Sequence, residues 1–273
     1  ALATYGAEIA AFMLTNPNTC GLFETNISAI ANRLHDIGAY LYGDGANFNA
    51  IVGRYRPGDL GIDVMQFNLH KTFSTPHGGG GPGCGPVAVR AELAKFLPCS
   101  GQPESIGRIK AFHGQFGMMV RALAYILSHG MTGLRQVAED AVLNANYVLH
   151  HLKDVYHVPY PGPCMHECLL TDQRQQQAQG ISTLDIAKGL CELGYHPMTV
   201  YFPLVVNGAM LIEPTETESR QSLDEFIATL RYLANLAATP EGAATLRQWP
   251  QSTPRRRLDE VQAARKPILT YAP

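Results

Sequence analysis

Apolar residues along this chain switch between the two-residue period of strands and the 3.6-residue period of helices. Glu8 to Leu14 is a short, almost continuous apolar run. It predicts a strand buried on both faces, as in a parallel sheet. The run stops at the turn-rich Thr15-Asn16-Pro17-Asn18-Thr19. Thr25 or Asn26 can cap a helix carrying Ile27, Ile30, Ala31, Leu34 and Ile37 at helical spacing, closed by Gly38. Ala39 to Gly43 predicts a second strand ending at Asp44, Ile62 to Leu69 a third, and Pro86 to Val89 a short fourth. Strand, helix, strand is a βαβ unit, whose ligands gather at the C-terminal strand ends. Asn16, Asn18, Asp44, Asn47 and Lys71 all fall at such ends.

Residues 97 to 113 read as irregular. Phe116, Met119, Val120, Leu123, Ile126 and Leu127 then predict one buried helical face ending at Gly130. A longer helix follows over roughly 132 to 152. Val158-Pro159-Tyr160-Pro161-Gly162-Pro163 reads as a linker or edge segment. Beyond it, Glu167 to Leu170 and Gly208 to Ile212 are strand candidates. Ser182 or Thr183 starts a helix ended by Gly194. Thr217 is the expected cap of another, with Glu218 in its first turn and Leu223, Phe226, Ile227, Leu230 and Leu233 inside. The polar last stretch predicts one more short helix. The organisation expected is a sheet domain over 1–155 and a small α+β domain over 156–273.

Composition removes several function classes. Apolar residues make up 46% and charged residues 16% of the chain, which fits a globular core. The net charge of −2 gives no electrostatic case for nucleic acid, and Arg255-Arg256-Arg257 reads as a solvated segment. No apolar run approaches the ~18 residues of a membrane helix. The first residues lack an initiator Met, a basic region and an apolar core, so they predict a chain that begins inside a longer protein. Six scattered cysteines predict reduced thiols in a cytoplasmic compartment. Cys164, His166 and Cys168 have no second Cys/His pair at zinc spacing, so no metal is expected.

The chemistry concentrates in Asn68-Leu69-His70-Lys71 and the loop after it, where glycines 78 to 81, 83 and 85 are punctuated by prolines 76, 82 and 86. A lysine at a strand end, held in an apolar pocket with a lowered pKa, is suited to a Schiff base. Glycines admit φ > 0 and let main-chain N–H groups approach an anion. The plain alternative is a surface lysine before a shaped loop. Asp44, 27 residues earlier at another strand end, supplies a carboxylate for a pyridine nitrogen, unless it only caps its own turn. Asn47 could donate to a ring phenolic oxygen. These residues alone reach a pyridoxal-phosphate enzyme of unassigned substrate.

Leu14 to Thr19, Asp44-Gly45-Ala46-Asn47, Asn68 to Pro86, Phe112 to Gly117, Ala141 to Tyr147 and Ile212 to Ser219 together resemble the glycine decarboxylase P-protein family. The resemblance runs through nearly the whole chain. It is closest to the C-terminal part of subunit 2 of the bacterial two-subunit form. It implies an α/β chain: a partial fold-type-I transferase, from a large mostly parallel-sheet domain, plus a small α+β domain. It implies pyridoxal 5'-phosphate covalent at Lys71, and glycine decarboxylation with aminomethyl transfer to the lipoyl group of an H protein. Lys71 and His70 would be catalytic. Asp44, Ala46, Asn47, Asn68, His70 and Asn16 would bind cofactor, and His77 with the glycine loop would line the site. Implied partners are glycine, the H protein, subunit 1 and a second copy, in a heterotetramer, with no nucleic acid or membrane.

Three features depart from the family pattern. Cys84 stands where a small residue such as Ala is expected, and either fills space or is redox-sensitive. His113 and Gln115 replace an expected Tyr and Asn. The family's preceding segment, with the ring-stacking residue and much of the phosphate cup, is not in this sequence. A fragment that binds cofactor weakly on its own is therefore expected. Arg90, Arg108 and Arg121 are substrate-carboxylate candidates by type alone. An aminotransferase, a cysteine desulfurase or a non-catalytic fragment are the competing readings.

Overall fold

The computed structural model describes residues 2–270, and their packing divides the chain into two units. The first runs to Asn146 and takes in Pro163–Cys168 and Pro214–Thr217. The second comprises Tyr147–Gly162, Leu169–Glu213 and the chain from Glu218 onward.

The first unit holds a four-stranded sheet of β1 (Ala11–Thr15), β2 (Tyr40–Gly45), β3 (Val64–Phe67) and β4 (Val87–Val89), in that spatial order. β1, β2 and β3 are parallel and β4 is antiparallel to β3. Helix α1 (Ile27–His35) crosses from β1 to β2. Its Ile27, Ala31 and Leu34 pack with Leu41, Ile62 and Met65. A fully buried aliphatic side chain such as Leu41 contributes about 1.5–3 kcal/mol. The expectation that the first strand is buried on both faces is corrected. β1 is an edge strand, and Phe12 and Met13 are exposed.

Asp63 fixes how these elements meet. Its side chain is 1% exposed. Oδ2 accepts from the Leu41 backbone N–H at 2.7 Å and lies 2.8 Å from the His35 ring. Oδ1 accepts from the Arg90 guanidinium at 2.8 Å, and the Arg90 N–H donates to the Asp63 carbonyl at 2.9 Å. One carboxylate thus ties α1, β2 and the residue after β4 to the start of β3.

The third strand is shorter than expected. After Phe67 the chain turns through α2 (Leu69–Thr72), so Lys71 sits on a helical turn rather than at a strand's last residue. Helix α3 (Phe116–Leu152) is interrupted at Gly130, where φ is 61°. In its first limb, Met118, Met119, Ala122, Tyr125 and Ile126 pack around Leu69, Phe73 and Cys84. The expected single buried face is therefore corrected: Phe116, Val120, Leu123 and Leu127 point outward.

Residues 163–168 are locked onto the first unit. Asn146 donates to the Cys164 carbonyl at 2.6 Å and accepts from its N–H at 3.0 Å. Met165 N–H donates to the Gly21 carbonyl at 2.7 Å. Gly21 has φ +73°, and a Cβ there would lie 2.1 Å from the Glu167 carbonyl oxygen, so only glycine permits this approach. His166 is thereby buried. Burial, and then the charge of Lys71, push its imidazole down to about 4. The Glu167 carboxylate, 3.8 Å away, acts in the opposite sense and does not outweigh them.

The second unit has a three-stranded sheet in the order β5 (Cys168–Thr171), β7 (Ala209–Ile212), β6 (Thr199–Val200), with β6 and β7 antiparallel. Its helices are α4 (Gln173–Gln179), α5 (Thr183–Glu192), α6 (Arg220–Leu236), α7 (Pro240–Gln248) and α8 (Glu260–Arg265). Ser182 and Asp185 form a reciprocal capping box at the start of α5. Ser219, not Thr217, caps α6, accepting from Ser222 N at 3.1 Å. Thr217 is instead engaged with the Thr215 hydroxyl. Two short helices close the chain where one was expected. Among the described residues no helix is long and apolar enough to cross a membrane.

Asp63→Ala should lower the unfolding free energy in urea by about 3 kcal/mol, because it strands the buried Leu41 N–H and takes the partner from His35 and Arg90. His166 gives a pH dependence with a defined sign. Its folded pKa lies below its ordinary value, so between about pH 6.5 and 4 the unfolded chain binds the extra proton. Stability should be full above that window and fall by up to about 3 kcal/mol across it. His166→Gln should remove that fall.

Candidate functional site

The parallel register sets Thr15, Asp44 and Gln66 level with one another across β1, β2 and β3. Their side chains meet. Asp44 Oδ2 accepts from the Thr15 hydroxyl at 2.9 Å, Oδ1 accepts from the Ala46 N–H at 3.0 Å, and the Gln66 amide also donates to Oδ1. A half-buried carboxylate with three donors is held in one orientation. The following Gly45 is a steric requirement, because a Cβ there would lie 2.0 Å from the Gln66 carbonyl oxygen.

Lys71 lies one strand over, on α2 beyond the C-terminal end of β3. Its side chain is exposed, so the expected apolar pocket is absent from the described residues. His70 beside it is half-buried, and burial lowers its imidazole pKa, with His77 and Lys71 adding charge repulsion. The Cys84 N–H donates to His70 Nδ1 at 3.3 Å. The neutral ring therefore carries its proton on Nε2. Asn68 Nδ2 lies 3.4 Å from that Nε2. Two donors cannot pair, so this contact is a hydrogen bond only with the amide reversed, which would also give the buried and unpartnered Asn68 Oδ1 a donor. The His77 ring packs 4.7 Å from that of His70. Gly83 is small enough for both rings to lie against it.

The remaining expected residues divide between the site and its scaffold. Asn47 lies just past β2 and donates to the Pro17 carbonyl at 2.9 Å, linking two strand-end loops. Asn16 is buried, and its amide is spent closing the 16–24 loop through both the Glu24 N–H and carbonyl. Arg90 is committed to Asp63 and is not available for a substrate carboxylate. Arg108, Arg121 and His113 are exposed. Cys84 packs among Leu69, Phe73 and Ala122, as a small space-filling side chain does.

Several residues here had not been singled out. Thr15 and Gln66 orient Asp44, and only the strand register brings them to it. The buried hydroxyls of Thr72 and Thr75 have no hydrogen-bond partner. His166 comes to Lys71 from far along the chain, and its pKa registers the lysine's charge.

These residues fit pyridoxal phosphate. An amine stands at one strand end and an oriented carboxylate at the next. Two buried hydroxyls in the residues that follow the lysine, Thr72 and Thr75, lack the partners that buried polar groups require. A glycine-rich turn follows, with positive φ at Gly78, Gly79 and Gly80.

Comparison with known proteins gives one answer. The family model for the glycine dehydrogenase C-terminal domain matches residues 137–248. The probable glycine dehydrogenase (decarboxylating) subunit 2 of Caulobacter vibrioides is 58% identical over 98% of this chain. Its counterpart in Desulforamulus reducens is 53% identical over 98%. The match takes in 54% and 58% of those two proteins, so the chain spans about half the length of the curated relatives it matches. Among solved structures, glycine decarboxylase (P-protein) of the glycine cleavage system in inhibitor-bound form superposes with a TM-score of 0.67 at 20% identity. That superposition covers 83% of this chain and 55% of the other. The apo cysteine desulfurase of Thermococcus onnurineus gives 0.64 at 16% identity, covering 83% and 60%. These likenesses carry the fold, the α/β architecture of fold-type-I pyridoxal-phosphate enzymes. Over the residues it spans, the chain is therefore similar throughout to glycine dehydrogenase (decarboxylating) subunit 2.

Proposed function

We propose that this chain carries the lysine-bearing part of a glycine-cleaving enzyme. That enzyme decarboxylates glycine and passes the aminomethyl group to the lipoyl arm of an H protein. The observation that carries the reading is the pairing of Lys71 on α2 with the three-donor carboxylate of Asp44 at the end of the neighbouring strand, in a chain 58% identical to a subunit 2.

Pyridoxal phosphate, when bound, supplies an electron sink for the pair left behind as glycine loses its carboxylate as CO2. Lys71 would hold it through the ε-amine. Asp44 would face the pyridine nitrogen and favour its protonated form, kept in line by Thr15, Gln66 and the Ala46 N–H. Asn47 would approach the phenolic oxygen. His70, neutral with its proton on Nε2, would sit at the base of the site as a proton-handling group, oriented by Asn68 and the Cys84 N–H. Thr72 and Thr75 hydroxyls would donate to the cofactor's polar periphery, while Asn16 holds the loop that carries Pro17. Substrate carboxylate needs no firm cationic clamp here, since a carboxylate about to leave gains nothing from strong ground-state stabilisation. In the working enzyme the partners would be subunit 1, a second copy and the H protein, in the cytoplasm. The sheet unit would be the C-terminal part of the cofactor-binding domain and the second unit the small domain.

Adding pyridoxal phosphate, reducing with borohydride and mapping peptides should give a phosphopyridoxyl adduct on Lys71 that Lys71→Ala abolishes. An adduct in the full-length subunit but not in this chain would assign the remaining phosphate contacts to residues outside it. No adduct in either overturns the reading. In the full-length subunit, assembled with subunit 1 and H protein, Asp44→Asn should slow glycine-dependent CO2 exchange at least about tenfold, about 1.4 kcal/mol of barrier.

A further inference from the structure

The second unit carries a cleft of about 650 Å³ where β5 ends and β7 begins. Asp172, the residue after β5, and Gly208, the residue before β7, both line it. The volume suits a small organic molecule. The glycine-cleaving reaction proposed above uses none of its residues.

Asp172 is 7% exposed. Its Oδ2 accepts from the Thr183 N–H at 2.7 Å and from the Gln176 amide at 3.4 Å. Those two donors fix the carboxylate, and neither serves Oδ1. Among the described residues Oδ1 has no hydrogen-bond donor. It lies instead against Gly208, where a Cβ would come within 2.0 Å of it. Gly208 also has φ +64°, so both space and backbone require glycine there. A buried carboxylate is costly unless donors meet its lone pairs, and one oxygen here lacks them.

The rest of the lining indicates what would meet it. No lysine or arginine lines the cleft. His157, the one lining residue able to become cationic, is paired with the Thr171 hydroxyl at 2.9 Å. Arg174, the nearest cation in sequence, is spent on the Lys153 and Asp154 carbonyls. Tyr160 and Tyr201 add aromatic surface, and Val205 and Val206 add apolar surface. Aromatic faces attract a cation, and apolar walls take its carbon body. Tyr201 has φ +56°, a region that bulky residues rarely adopt, and its hydroxyl accepts from the Leu184 N–H at 3.2 Å. Backbone strain of that kind collects at ligand sites. An anion would meet the carboxylate with no lysine or arginine to offset it, and a bare metal ion would leave most of the volume and the apolar wall unused.

We propose that this cleft binds a small organic ammonium ion, with an N–H donated to Asp172 Oδ1 and the carbon body against Tyr160, Tyr201 and Val205. The site shares no residue with Lys71 and Asp44, so it stands or falls independently of the enzymatic reading.

Titration calorimetry of the full-length subunit tests it, with N,N-dimethylbenzylamine as the cation and benzyl alcohol as its neutral counterpart. A tertiary amine forms no Schiff base, so Lys71 and its cofactor do not enter the measurement. The amine should bind at least about tenfold tighter than the alcohol. Asp172→Asn keeps an acceptor for the Thr183 N–H, removes the charge, and should erase that preference. Val205→Lys, at a position 79% exposed, sets a competing ammonium at the cleft. It should weaken amine binding about tenfold and leave the thermal melt unchanged. Equal binding of amine and alcohol, or amine binding that both variants leave intact, overturns the proposal. So does the absence of amine binding, whether the rest of the full-length chain fills the cleft or the cleft is inert.

Discussion

The Asp63 carboxylate accepts from a backbone N–H of β2, the ring of His35 at the end of α1 and the guanidinium of Arg90 after β4. An ionised group so little exposed is tolerable only if its hydrogen bonds are complete. The three elements are therefore held to one arrangement, since moving any of them leaves a buried charge short of a donor. Hydrophobic packing of α1 on the sheet supplies more free energy but is non-directional. Asp63 lies immediately before β3 and sets that strand's position against β2. The register of β2 on β3 in turn decides whether Gln66 reaches Asp44.

From that register the site follows with little freedom left. Thr15, Asp44 and Gln66 stand level because three parallel strands end together. The carboxylate is orientated before any ligand arrives, so no reorganisation is needed at the moment of use. Two glycines permit close approaches that no other residue allows. Gly45 lets β2 pass the Gln66 carbonyl, and Gly21 lets residues 163–168 close over the loop after β1. Through Gly21 the site acquires His166, a neutral buried imidazole near Lys71. Burial sets most of its low pKa and the lysine's charge adds to it, so whatever neutralises Lys71 makes His166 easier to protonate.

Local pattern carried most of the elements and picked out several residues of the candidate site. The apolar runs located β2, β3, β4, α1 and the break at Gly130 to within a few residues. The strand-end rule singled out Asp44 and Lys71. Three things were not legible. The edge position of β1 depends on which strands pair with it, and composition is silent on that. Thr15 and Gln66 are ordinary strand residues until register aligns them. His166 and Thr215 belong to the first unit only because the Gly21 backbone and the Asn144 side-chain amide bring their segments there, from a stretch of sequence that otherwise builds another unit.

The first limb of α3 shows why periodicity fails in a particular way. Apolar residues at 116, 119, 120, 123, 126 and 127 match a helical period, so the pattern predicts a helix correctly and a single buried face incorrectly. One stripe is buried by Leu69, Phe73 and Cys84 of its own unit, and the other is left open. No sequence rule separates a stripe that faces its own core from one that faces a neighbour, since both are apolar for the same reason. The inner stripe packs against the turn that carries Lys71. The part of the pattern that periodicity reads correctly is thus the part that supports the lysine's turn.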